Sequence, residues 1–192
     1  MAARLTGKRV ALLVTDGFEQ VELTSPKEAL ERAGAKTFIV SPKKDVVRGW
    51  KHTDWGDDFK VDRPITDARA KEFDALVLPG GVMNPDKLRR DDRVRAFVRS
   101  FFEQHKPVAA ICHGPWTLID ASVVAGRRLT SYGSIRTDLQ NVGATWVDEA
   151  VVVDGDLITS RRPDDLEAFN AALIAKVAEA RQAGKDGVAA ET

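Results

Sequence analysis

Val108-Ala109-Ala110-Ile111-Cys112-His113-Gly114-Pro115 decides the fold of this chain. Four apolar residues in a row read as a strand buried in a parallel sheet, and Gly-Pro reads as a sharp turn into a helix. Cys112 sits on that turn, at the carboxyl edge of the sheet, where open α/β folds place their chemistry. The following helix points free N–H groups and its positive end back at the sulfur. Both favour thiolate, the nucleophilic form, so position alone predicts a lowered thiol pKa. A lone cysteine is commonly a small buried hydrophobe, but such a residue belongs inside a strand or on a helix stripe. This one stands on the turn between them.

The pattern on either side alternates strand and helix. Val10 to Val14 is a first buried strand ended by Thr15-Asp16-Gly17. Ser25-Pro26-Lys27-Glu28 has the form of a capping box with proline at the first helical position, and Gly34 stops that helix. Lys36 to Val40 is the second strand. From Pro42 to Asp62 the alternation breaks, and Trp50, Trp55 and Gly56 among charges suggest a hairpin or meander. Ala75 to Leu78 is another parallel strand, ending in Pro79-Gly80-Gly81. Val94, Phe97, Val98, Phe101 and Phe102 recur at helical spacing and form a core-facing stripe. Leu129 to Ser131 is a short strand, and Ile135, Leu139 and Val142 line a helix ending at Gly143. Ala150–Val153 and Leu157–Ser160 form an antiparallel hairpin, and Pro163-Asp164-Asp165 opens a last helix. The expected architecture is a three-layer α/β sandwich with a mostly parallel sheet. Residues 1–181 read as one domain, and the Ala-, Gly- and charge-rich stretch 182–192 as a disordered tail.

Composition bounds the function classes. The 192 residues include 29 basic and 29 acidic side chains, so no global field attracts nucleic acid or an anionic membrane. No segment approaches transmembrane length, and the first apolar run is too short for a signal-peptide core. A single cysteine excludes an internal disulfide and suits a reducing compartment, so the expected location is cytoplasmic.

Three loops leave the carboxyl ends of parallel strands carrying chemistry: Asp16-Gly17-Phe18-Glu19, Gly80-Gly81 and Cys112-His113. They converge on one sheet edge, so a carboxyl group, a flexible backbone turn and a thiol can meet there. The N–H groups of Gly81 and His113 would make an oxyanion hole. Only three histidines exist. His105 begins the cysteine strand at its far end, and His52 lies in the irregular excursion with the surface its better placement. His113 is therefore the one credible base within the subunit. The histidines and the cysteine show no metal-ligand spacing, so neither metal nor cofactor is expected.

Phe18-Glu19-Gln20-Val21-Glu22-Leu23, Asp74 to Gly81 and Ala110 to Pro115 together resemble the ThiJ/PfpI superfamily. Thr130-Ser131-Tyr132, Trp146-Val147-Asp148 and Val151 to Gly155 extend the resemblance, which runs from Arg9 to Ala180 and is nearest the PfpI-type intracellular protease or general stress protein branch. The resemblance implies a flavodoxin-like sandwich, like that of class I glutamine amidotransferases, with Cys112 on a nucleophile elbow. It implies that Glu19 hydrogen-bonds the sulfur as a protonated acid and that Gly81 and His113 hold the oxyanion. It places Gly80 and Tyr132 at the pocket, Tyr132 where other branches carry a histidine. It also implies that Asp86, after Pro85, reaches His113 from a neighbouring subunit. Many relatives have glutamate there, and this chain has the shorter aspartate. No histidine follows His113, which sets amidotransferase chemistry aside.

Two function classes follow. In the first, a cysteine-dependent stress-response hydrolase uses Cys112 on a carbonyl, either of a small reactive aldehyde or glycation adduct, or of a peptide bond. In the second, a non-catalytic redox sensor or protective protein is oxidised at Cys112. Either is expected to work as a homodimer or higher oligomer, without nucleic-acid or membrane partners.

Overall fold

The computed structural model describes residues 5–180; the expected tail at 182–192 lies outside them. In chain order the elements are β1 (Arg9–Leu13), β2 (Phe18–Glu19), α1 (Gln20–Arg32), β3 (Lys36–Ser41), β4 (Val46–Lys51), β5 (Asp54–Lys60), β6 (Arg63–Pro64) and β7 (Ala75–Leu78). There follow α2 (Met83–Leu88), α3 (Asp92–Glu103), β8 (Val108–Ile111), α4 (Pro115–Asp120), β9 (Arg128–Leu129), α5 (Arg136–Asn141), β10 (Thr145–Trp146), β11 (Val151–Asp154), β12 (Leu157–Ser160) and α6 (Leu166–Glu179).

Seven strands form the central sheet in the order β11-β12-β8-β7-β1-β3-β6. All neighbours run parallel except the β11–β12 hairpin. Taking β1, β3, β7, β8 and β12 as strands one to five, the order is 2-1-3-4-5, that of flavodoxin-like folds. The strands alternate their side chains between two cores, as a period of two demands. Ala11 and Leu13 pack with Leu76, Leu78, Phe97 and Phe101 on the face covered by α3 and α4. Val10 and Leu12 pack with Val77, Leu23, Phe169 and Leu173 on the face covered by α1 and α6. Each strand of β7 and β8 is buried along its whole length, which accounts for their unbroken apolar runs.

The irregular excursion is a second, three-stranded sheet of order β2-β4-β5. Trp50 and Trp55 pair across its hairpin edge-to-face, with centroids 5.4 Å apart. Gln20, at the start of α1, staples the hairpin: its Nε2 donates to Asp57 Oδ2 at 2.6 Å, and its Oε1 accepts from the Asp57 N–H at 2.8 Å.

Two local expectations change. The first helix starts at Gln20, not at Ser25, and Pro26 lies inside it. Gln20, Glu22 and Leu23 are all buried, so packing drives the extra turn although Pro26 cannot donate to the carbonyl of residue 22. The Ser25 hydroxyl does not cap; it accepts from Asn170 Nδ2 at 2.9 Å and ties α1 to α6. Ile135, just before α5, and Leu139 within it face the core, but Val142 follows the helix and is exposed. Among the described residues no helix is long and apolar enough to cross a membrane.

Candidate active site

β8, β7 and β1 are adjacent in the sheet, so the loops that follow them meet at one edge. Cys112 follows β8 with φ +62°, a left-handed conformation that costs a non-glycine residue on the order of 1–2 kcal/mol. The conformation is held from both sides. The Cys112 N–H donates to the Ser160 carbonyl at 3.1 Å, and its carbonyl accepts from the Tyr132 N–H at 2.9 Å. Cys112 as a residue is 8% exposed.

Gly81 has φ +76°, and a Cβ there would lie 2.6 Å from the Gly17 carbonyl oxygen. A glycine is thus needed for the loop after β7 to close against the loop after β1. A Cβ on Gly80 would fall 2.5 Å from Glu22 Oε2 and 2.6 Å from Cys112 Cβ, so bare backbone separates carboxyl from thiol. Asn84, fully buried at the start of α2, locks these loops together. Its Oδ1 accepts from the Thr15 N–H at 2.8 Å, and its Nδ2 donates to the Pro79 carbonyl at 2.9 Å. Nothing local marks Asn84 in the chain beyond its place just after Gly80-Gly81.

The carboxyl beside the sulfur is that of Glu22, not of Glu19. Glu22 has no exposed surface, accepts from the Gly80 N–H at 2.8 Å, and has the Cys112 thiol and the Gly81 N–H as its other polar neighbours. Its Oε1 is buried without a hydrogen bond of normal geometry among the described residues. Burial pushes the Glu22 carboxyl up to about 8. Glu19 is the cap residue of α1 and is half-buried; burial raises its carboxyl too, opposed by the neighbouring His52. The reason is helix geometry. Starting α1 at Gln20 puts residue 22 within the first turn, pointing inward, and leaves residue 19 at the rim.

Burial also pushes the Cys112 thiol up, and a charged Glu22 acts in the same direction, while the N–H groups of Gly81 and His113 pull it down. The lowered pKa expected from the helix start is overturned because desolvation outweighs those donors. The same interactions place both expected oxyanion donors at the sulfur.

His113 is buried, with its Nδ1 3.2 Å from Cys112 Sγ and its Nε2 3.0 Å from Ser134 Oγ. Tyr132 stacks on the imidazole at 4.8 Å between centroids, and Trp116 meets it edge-on at 5.3 Å. Burial lowers the pKa of His113, favouring the neutral ring. Asp86 is exposed on α2, while both His113 ring nitrogens are engaged within the single chain. His52 lies at the exposed tip between β4 and β5, and His105 precedes β8, away from the sulfur. Among the described residues no three His, Cys, Asp or Glu side chains cluster as a metal site requires.

A parallel α/β sandwich with a cysteine on a left-handed strand-to-helix elbow, flanked by histidine and a buried carboxyl, defines a nucleophile-elbow protein of the flavodoxin-like class. Within that class the chain belongs to the DJ-1/PfpI family, whose model matches residues 8–176. It is 48% identical over 163 residues to "Putative cysteine protease YraA" of Bacillus subtilis (strain 168), covering 85% of this chain and 94% of that protein. It is 45% identical over 166 residues to General stress protein 18 of the same strain, again covering 85% and 94%. Among solved structures it resembles Drosophila melanogaster DJ-1beta, with TM-score 0.82, 29% identity and coverage of 90% and 91%. It also resembles a two-domain protein from Anabaena variabilis ATCC 29413 with DJ-1/ThiJ/PfpI-like and ferritin-like domains, with TM-score 0.84 and 39% identity. That alignment covers 88% of this chain and 48% of the Anabaena protein, so this chain spans about half its length.

Proposed function

We propose that this protein is a cysteine-dependent enzyme of the stress response that acts on carbonyl compounds, with Cys112 as nucleophile. The observation that carries the reading is the 3.2 Å approach of His113 Nδ1 to Cys112 Sγ. A buried thiol with a raised pKa needs a base at contact distance, because little free thiolate stands ready at neutral pH. As Sγ bonds to the carbonyl carbon, the thiol proton passes to Nδ1 and the C=O π electrons move to oxygen. The N–H groups of Gly81 and His113 receive that oxyanion. With an aldehyde the product of this step is a hemithioacetal, and its oxygen takes the proton back from Nδ1. With an acyl compound the adduct collapses, the leaving group takes the proton from Nδ1, and water then cleaves the thioester.

Small carbonyl compounds suit the site better than folded proteins, since Cys112 is buried. The assembly is read as a homodimer or higher oligomer in which Asp86 of a neighbouring copy completes the site. Turnover of methylglyoxal and of a peptide substrate, compared between wild type and Cys112→Ala, tests the reading. Activity on one substrate that Cys112→Ala loses supports it, and equal rates in both proteins overturn it.

One observation favours the redox reading as an alternative. The unpartnered Oε1 of Glu22 lies in the carboxyl beside the sulfur, where a protonated acid would donate to an oxygen on oxidised Cys112. No turnover on either substrate, with clean peroxide oxidation at Cys112, selects this alternative.

A further inference from the structure

His113 needs a third group to orient it, and one is present in its own chain. An imidazole that accepts a proton on Nδ1 must carry its own hydrogen on Nε2, and the partner of Nε2 selects that tautomer. Here the partner is the Ser134 hydroxyl, 3.0 Å away. We propose that Ser134 is the positioning residue of this site, holding His113 as the Nε2–H tautomer with Nδ1 open toward Cys112. The proposal rests on the reading of Cys112 as nucleophile and adds the residue that sets its base.

Among the described residues, Ser134 is the polar group that meets Nε2. The faces and edge of the ring meet Tyr132 and Trp116, which pack without bonding its nitrogens. Trp116 is itself tethered, its Nε1–H donating to Asp138 Oδ2 at 2.8 Å, so the ring sits against a fixed wall. Ser134 lies in the single 3₁₀ turn Gly133–Ile135, which begins just after the Tyr132 N–H binds the Cys112 carbonyl. One short segment therefore fixes the elbow backbone through Tyr132 and the base through Ser134. A hydroxyl accepts from Nε2–H and still has its own proton to donate outward, since Ser134 is exposed. In an oligomer that outward O–H is where a neighbouring carboxylate would attach, which makes Ser134 the link between the ring and the acid. A neutral hydroxyl orients the ring without adding charge, in keeping with the downward shift that burial imposes on His113.

Nitrogen-15 NMR of the histidine-labelled protein reads the tautomer directly, with His113→Asn identifying the His113 signals. In wild type the His113 ring should show a protonated Nε2 and an unprotonated Nδ1. In Ser134→Ala the two forms should mix, and carbonyl turnover should fall about tenfold, the loss of one hydrogen bond. Ser134→Thr keeps the hydroxyl and should restore both the spectrum and the rate. An unchanged tautomer in Ser134→Ala overturns the proposal. So does a tautomer that shifts in Asp86→Asn and not in Ser134→Ala, which would mean that the acid holds the ring itself. A wild type with no turnover defeats the enzymatic reading instead, and the spectrum still decides whether Ser134 holds the ring.

Discussion

At the residue scale the site turns on a difference of three positions. The sequence displays Glu19 and Glu22 alike, and only the start of α1 at Gln20 decides which carboxyl points inward. That start is set by burial and by the pairing of β2 with β4, contacts distant in sequence that local cap signals do not carry. The Ser134 hydroxyl was equally hidden, since nothing in its neighbours marks it as facing His113. Cys112, His113, Gly80 and Gly81 were legible because strand ends and glycine turns are local patterns. Glu22 gives a signed pH dependence. Its folded pKa is raised to about 8 from an ordinary 4.5, so its contribution to stability is fully present below 4.5. The contribution is lost as pH rises through 8, at a cost on the order of a few kcal/mol. Urea unfolding at pH 5 and pH 9 should show the wild type losing stability across that window. Glu22→Gln, which cannot ionise, should be flatter.

At the element scale, α3 shows how directly a hydrophobic period becomes packing. Val94, Phe97, Val98 and Phe101 are buried at the spacing that defines the stripe. Phe97 meets Phe101 of the same helix edge-on at 5.1 Å and Phe73, in the segment leading into β7, at 6.1 Å, so aromatic contacts key the helix to the chain that enters the sheet. Phe101→Ala should lower stability by about 3–5 kcal/mol, because the fully buried ring leaves a cavity that its neighbours cannot close. Chemical denaturation measures this. β7 and β8 were legible for the same reason: full burial makes each a short unbroken apolar run, whereas the short strand expected at Leu129 to Ser131 pairs only over Arg128–Leu129. The weaker elements escaped. β2 and β10 have two residues each, too few to show any period, and both exist through pairing with partners elsewhere in the chain.

At the scale of the whole molecule, the 2-1-3-4-5 order brings the ends of β1, β7 and β8 together, and the alternation of strands and helices made that convergence foreseeable. Assembly is another matter, because a single sequence holds no record of which faces meet. We expect light scattering to give a mass above the 21.0 kDa of one chain. If Asp86 acts across subunits, mixing inactive Cys112→Ala with inactive Asp86→Ala chains should recover part of the activity. A monomer would sink the assembly, and failed recovery in a proven oligomer would sink only the shared site. The left-handed backbone at Cys112 has a consequence on a longer timescale. Glycine adopts φ +62° without penalty and cysteine does not, so the fold alone pulls this position toward glycine. A lineage released from the need for the thiol would drift that way. Cysteine at 112 is then a residue that selection must keep restoring against the bias of its own backbone, and its persistence or loss along a family tree would date when the chemistry was in use.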